Sequence, residues 1–241
     1  MSKTSITFLL DKSGSMESIR DDTIGAFNAY LAELKRDSEG VQFSLVLFDT
    51  ISVEKIYVNQ PLAEVQPLDR KVYVPHGCTP LIDAAYKTIK AVEKAVEGDA
   101  NTKVVICIQT DGHENASREH TWDGLNAIIK EKTAAGWQFN FMGASINAYE
   151  QASRMGIGTA QTMSYDSQNV GATQAAFVAS ASNMRAYASG QSLSTNYSTA
   201  QKTAASDAYA GLHQANVPMQ HPIPAKVPAQ PAKGLVDDFE L

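Results

Sequence analysis

The sequence predicts an α/β fold: a doubly wound, mostly parallel central sheet with one antiparallel edge strand and helices on both faces. Three observations carry this. Strand-like and helix-like segments alternate over roughly the first 165 residues, and strand–helix repetition implies parallel strands joined by crossovers. The most apolar segment, KVVICIQ (Lys103 to Gln109), has no polar face, as a central strand covered on both sides requires. Finally, Gln42 to Phe48 and Ser52 to Val58 are separated only by Asp49, Thr50 and Ile51, a link suited to a hairpin.

The elements can be justified in order. Ser5 to Leu10 (SITFLL) is a short apolar run ending at Asp11 and a Ser/Gly turn, the pattern of a buried strand. From Glu17 a helical period places Ile24, Phe27, Leu31 and Leu34 on one face, with Gly40 closing it. The hairpin follows, then a loop containing HGCTP. Ile82, Ala85, Ile89, Val92 and Val96 then recur at steps of three and four, and Pro80 stands where a first helical turn tolerates it. After the central strand, Trp122, Leu125, Ile128 and Ile129 form a helical face that Thr121 starts and Gly136 stops. Trp137 to Gly143 reads as a strand, Ala148 to Met155 as a short helix, Thr159 to Ser164 as a last strand, and about Gln168 to Tyr187 as a last helix.

This assigns residues 1–188 to one domain. Residues 189–216 are rich in Ser, Thr and Ala and are expected to be a linker, partly helical at Thr199 to Tyr209. Residues 217–241 hold five of the nine prolines and end in GLVDDFEL, which reads as a flexible acidic tail. At 44% apolar and 19% charged, the 241 residues can bury one sizeable core. A formal net charge of −6, with no run of Lys and Arg, argues against a nucleic-acid surface. No stretch has the roughly 18 continuous apolar residues of a membrane span, and the opening MSKTSITFLLDKSGSM lacks a secretory pattern, so a cytoplasmic protein is expected. Two cysteines, Cys78 and Cys107, build neither a disulfide framework nor a zinc motif, and each is expected to be a small buried or half-buried filler.

Chemistry concentrates in three loops at strand ends. Asp11-Lys12-Ser13-Gly14-Ser15 follows the first strand, Gly77-Cys78-Thr79-Pro80 precedes the long helix, and Thr110-Asp111-Gly112 follows the central strand. In an open parallel sheet, ligands bind in the crevice outside the carboxyl ends of the strands. Asp11, Ser13, Ser15, Thr79 and Asp111 offer two carboxylates and three hydroxyls, the hard oxygen donors that magnesium prefers. Asp11, Ser13 and Ser15 alternate along their loop, so three donors can point to one side, and Gly14 lets the backbone turn between them. Helix capping is the competing use of the hydroxyls, but it does not account for Asp11 and Asp111 together. His76 and His113 flank the loops and are expected on the rim. Glu114, Asn115 and Asp83 are expected to brace the loops by hydrogen bonds.

These residues resemble the metal-ion-dependent adhesion site of the von Willebrand factor A family, whose pattern DxSxS…T…D is met in order by DKSGS, the Thr of GCTP and the Asp of TDG. The resemblance runs over roughly residues 4–188, and DDTIGAFNAYL, LIDAA and TDGHENASREHT look like stand-alone bacterial or phage members. It implies a Rossmann-like fold and a site for Mg2+, with Mn2+ or Ca2+ as substitutes. Ser13 and Ser15 would bind the ion directly, Thr79 directly in the ligand-competent state, and Asp11 and Asp111 directly or through water. It further implies a protein partner presenting Asp or Glu to the metal, or self-association through the same contact as an assembly component; with the charge balance and the lack of an apolar span, neither a nucleic-acid nor a membrane partner is expected.

An enzyme is the competing class. Phosphotransferases with an aspartyl nucleophile place a second carboxylate two residues on, where this chain has Ser13. There is no phosphate-cradling glycine loop and no nucleophile elbow around Ser15, so a magnesium-dependent phosphohydrolase ranks below a binding module.

Overall fold

The computed structural model describes residues 3–209 apart from 38 and 100. Six strands form one sheet in the order β3-β2-β1-β4-β5-β6, comprising β1 (Thr4–Asp11), β2 (Val41–Phe48), β3 (Val53–Pro61), β4 (Lys103–Thr110), β5 (Gln138–Ala144) and β6 (Thr162–Tyr165). All neighbours run parallel except β2 and β3, the antiparallel hairpin at one edge. β1 lies between β2 and β4, with Leu10 opposite both Leu47 and Gln109. The chain winds outward from β1 to one edge and then crosses back to β4. The carboxyl ends of β1 and β4 therefore flank the point where strand order reverses, the place where such sheets open a crevice.

The helices are α1 (Arg20–Leu34), α2 (Leu81–Ala95), α3 (Trp122–Ala134), α4 (Ala148–Met155), α5 (Val170–Ala188) and α6 (Thr199–Ala204). Alternation along the strands sends side chains into two cores. Ile6, Phe8 and Leu10 of β1 join Phe27 and Tyr30 of α1 and Phe177 of α5, while Leu9, Ile106 and Ile108 join Leu81, Ile89 and Leu125 of α2 and α3. Phe8 meets Tyr30 edge-on at 4.9 Å and Phe27 at 5.4 Å, the geometry aromatic pairs favour.

Most element positions match the sequence expectations; the expected last strand begins only at Thr162, after a 3-10 turn over Thr159–Gln161, and two further differences lie near the first loop and the long helix. Residues from Gly14 to Ile19 form a 3-10 turn, so the α-helix proper begins at Arg20 rather than Glu17. Pro80 caps α2 from outside instead of entering its first turn. Cys107 is buried in β4 as expected, and its thiol is pushed well up by desolvation; Cys78 is exposed, not a filler, because it lies on the loop surface. No helix among the described residues is long and apolar enough to cross a membrane.

The expected linker is the larger correction. Residues 189–209 continue the packed body, past the boundary placed at 188. Tyr197 is buried with its hydroxyl 2.7 Å from that of Ser180, and Thr195 donates to Asn140 Oδ1 at 2.5 Å while its carbonyl accepts from Asn140 Nδ2. α6 begins with a capping box in which Ser198 and Gln201 satisfy each other's backbone donors. Asp207 accepts from the Tyr149 hydroxyl at 2.7 Å and from the Ser164 amide at 3.1 Å, pinning the chain beside the ends of β5 and β6. Residues 210–216 of the expected linker and the whole 217–241 tail lie outside the described residues.

Candidate metal centre

The three loops converge at the reversal point, and backbone hydrogen bonds hold them there. The Gly14 amide donates to the Gly77 carbonyl at 2.9 Å, and the His76 amide donates to that of Lys12 at 2.7 Å. A β-carbon on Gly14 would stand 3.2 Å from the Gly77 oxygen, so the glycine permits this approach. Gly77 itself has φ +71°, a conformation that suits glycine. Thr50, in the β2–β3 turn, clasps the same loop through both the amide and the carbonyl of Cys78.

On this frame the structure brings together all five expected donors. Asp11 is fully buried at the end of β1, and one of its oxygens accepts from the Ser13 amide at 2.7 Å. The Ser13 and Ser15 hydroxyls lie 3.2 Å apart, and Ser15 donates to Asp111 at 2.6 Å. Thr79 is buried, its amide held by the Asn115 side chain at 2.9 Å. Its hydroxyl lies close to Gly112, where an added β-carbon would come within 3.0 Å of Thr79 Oγ1 and 3.9 Å of Ser15 Oγ.

None of the three hydroxyls caps a helix. The 3-10 turn after Ser13 and the helix after Pro80 both start without a side-chain cap, and Ser15 lies inside the 3-10 turn rather than at the N-cap of a helix. The capping alternative therefore fails at these positions.

The electrostatics of the cluster also have a direction. Burial pushes the Asp11 carboxyl up to about 6, against the lowering effect of hydrogen bonds from Thr110 and Ser13. Burial likewise raises Asp111, partly offset by the Ser15 hydroxyl. The adjacent cation does not help: Lys12 turns away, its ammonium 3.0 Å from Asp49 and 2.6 Å from Glu54, which fixes the first loop to the hairpin. One buried carboxylate, Asp11, and one half-buried one, Asp111, thus meet among hydroxyls, with no cation between them among the described residues. Among the described residues no group of three or more His, Cys, Asp or Glu is placed to hold a metal. The donor set is hydroxyl-rich, and it suits a small hard cation better than zinc. Asp11, Ser13, Ser15, Thr79 and Asp111 are the residues that could hold one.

The bracing residues behave as expected. Glu114 accepts from the amides of Ile82, Ala116 and Ser117 at 2.7–2.8 Å, tying the third loop to the start of α2. Asp83 accepts from the amides of Arg118 and His120 at 2.7 and 2.8 Å. His76 and His113 are both exposed on the rim. Three contributors were not anticipated. Thr110 donates to the second Asp11 oxygen at 2.5 Å, the Tyr73 hydroxyl donates to the Asp11 carbonyl at 2.6 Å, and Gln151 of α4 reaches the Gly112 carbonyl at 3.2 Å. Thr110 had a visible signal, since it stands beside Asp111 in the TDG string. Tyr73 and Gln151 had none, being remote in sequence.

No protein-family model matches the chain, and no curated protein is significantly similar to it. Solved structures do match. The manganese-loaded TRAP protein of Plasmodium vivax superposes with a TM-score of 0.53 at 16% identity, over 73% of this chain and 74% of that one. A von Willebrand factor type A structure from Catenulispora acidiphila gives 0.53 at 12%, over 76% and 43%. The SpaC pilus adhesin of Lactobacillus rhamnosus GG, in its open conformation, gives 0.60 at 12%, over 78% and 30%. The chain spans less than half of the latter two and 46% of a mussel byssus matrix protein that it also resembles. Identities this low speak to fold, and the fold is that of a von Willebrand factor A domain.

Proposed function

We propose that the protein is a divalent-metal-dependent binding module, which holds Mg2+ through Asp11, Ser13, Ser15, Thr79 and Asp111 and captures an acidic side chain of a partner protein. The observation that carries the reading is the meeting of five oxygen donors from three loops at the strand-order reversal, with none of the hydroxyls used for capping. The ion would supply an electrophilic centre with a coordination position open to a carboxylate. The protein's own part is to position the donors and balance the charge. Two carboxylates offset the +2 of the ion, and neutral hydroxyls add ligands without further charge. The manganese in the structurally similar Plasmodium protein supports a divalent ion here, and the pilus adhesin supports a binding role.

Two observations favour binding over catalysis. The Ser15 hydroxyl is bonded to a carboxylate at 2.6 Å rather than to a histidine base, and Asp11 is wholly buried behind the loop. Isothermal titration of the metal-stripped protein with Mg2+ and Mn2+, followed by metal-dependent capture of partners with Thr79→Ala as control, tests the proposal. Capture that persists in chelator, or equally in Thr79→Ala, would overturn it.

A further inference from the structure

Three features of the molecule point to one occupant for the centre. The first is the rim. Ile51 is 72% exposed, and Val72 and Val74 are also exposed, although each sits on a segment tied to the centre. Ile51 follows Thr50, which clasps Cys78; Val72 and Val74 flank Tyr73, which is bonded to Asp11. Exposed apolar side chains thus stand on segments hydrogen-bonded to the loops of the centre, which would suit a ligand carrying carboxylates and apolar groups side by side.

The second feature is where the described chain ends. Asp207 holds the segment against Tyr149 and Ser164, and the Tyr209 ring lies 6.4 Å from that of Tyr149. Tyr149 belongs to the first turn of α4, and Gln151 two residues on is bonded to Gly112 in the third loop of the centre. The exit is therefore at the same end of the sheet as the centre. The third feature is the remaining sequence. Residues 210–241 lead, through five prolines, to Val236-Asp237-Asp238-Phe239-Glu240-Leu241, where three carboxylates are interspersed with apolar residues. The 28 positions from Tyr209 to Asp237 allow a maximum reach of roughly 3.3–3.6 Å per residue, ample for one end of a domain this size.

Resting on the metal-dependent reading above, we infer that the acidic segment Asp237–Glu240 is a ligand of the protein's own centre, with a carboxylate on the cation and Phe239 and Leu241 against the rim of Ile51, Val72 and Val74. The segment would then compete with any outside acidic partner for the same position.

The test uses the full chain, a chain ending at Gly234, and the full chain with Asp237→Asn, Asp238→Asn and Glu240→Gln. Manganese binding by each is read first from the electron paramagnetic resonance signal of free Mn(II). A fluorescein-labelled peptide of residues 235–241 is then titrated onto each in manganese and in EDTA. The expected result is manganese-dependent binding to the shortened chain and the triple variant, and at least tenfold weaker binding to the full chain. Ile51→Ser in the shortened chain should weaken peptide binding severalfold and leave manganese binding unchanged. Manganese binding without peptide binding overturns the inference and leaves the proposed function standing; no manganese binding by any of the three overturns both. Equal peptide affinity for full and shortened chains, or a manganese-dependent dimer of the full chain in sedimentation, overturns occupancy by the same molecule.

Discussion

The Ser15 hydroxyl donates to an Asp111 oxygen at 2.6 Å, joining loops whose positions in the chain differ by 96. This bond is what the Asp111 carboxylate has from the first loop, and it keeps the two sides of the centre at contact distance. With a cation, both oxygens can turn toward the ion. The two residues that touch across these loops are ones a metal would recruit.

Magnesium should therefore raise the melting temperature by mass action. At a hundredfold excess over Kd the gain is about 2.7 kcal/mol, or roughly 5–10 °C for a domain of this size. Ser13→Ala or Asp111→Ala should remove most of it. Differential scanning calorimetry with and without EDTA measures this, and identical melting of the stripped wild type in both buffers would refute the centre.

The pH dependence has a definite sign. The folded state holds Asp11 at about 6, above its ordinary 3.8, so ionising it opposes folding. Metal-free protein should lose stability as pH rises from about 4 to about 6, by roughly 3 kcal/mol in all. A bound cation favours the ionised form, so the magnesium-induced gain should be small at pH 4.5 and level off above pH 6.5. A gain that shrinks as pH rises across that window would show the sign to be wrong.

Lys12→Ala should cost stability directly. It strips Asp49, which is 3% exposed, of its cation, and removal of one partner from a buried pair costs about 3 kcal/mol. The amides of Ile51 and Ser52 still bond Asp49 at 2.7 and 2.8 Å, so the hairpin turn should persist. Urea denaturation should show a lower midpoint, with magnesium still stabilising the variant because Lys12 does not face the donors.

Gly112→Ala is the sharper probe of the centre. Its β-carbon would press on the Thr79 hydroxyl from 3.0 Å, so Thr79 must yield. Magnesium affinity should fall about tenfold, the equivalent of about 1.4 kcal/mol, and the stripped protein should melt near the wild-type temperature. Titration calorimetry separates these two outcomes.

A chain ended after Ala188 should be markedly less stable than one ended after Tyr209. It loses the buried Tyr197 and Ala205 and leaves Asn140 in β5 without the Thr195 bonds. Burial and hydrogen-bond losses of this kind amount to on the order of 3 kcal/mol. Equal urea midpoints for the two chains would return these residues to the role of a linker.

That last segment also marks the limit of what the sequence discloses. The five donors are legible because each lies in a short string at the end of an apolar run, so its location comes from local pattern alone. The strands and amphipathic helices are legible for the same reason. Residues 189–209 are not: Ser, Thr and Ala dominate there, and few apolar side chains announce burial. They pack by matching hydrogen bonds to small residues, such as Ser180 and Asn183 on α5, a complementarity that exists only once α5 is in place. Lys12 with Asp49, and Tyr73 with Asp11, are hidden for a related reason. Charge pairs and hydroxyl contacts between distant positions leave no period in the sequence.

The anchoring of Asp207 to Tyr149 and Ser164 has a quantitative consequence for whatever is joined beyond it. If the acidic segment binds the centre as inferred above, tethering at that point rather than on the far end of the sheet would give it an effective concentration on the order of millimolar. A free competitor present at micromolar levels would need about a thousandfold stronger intrinsic affinity to displace a tethered carboxylate. One buried aspartate at the end of the packed body would thereby set the threshold for a competing carboxylate.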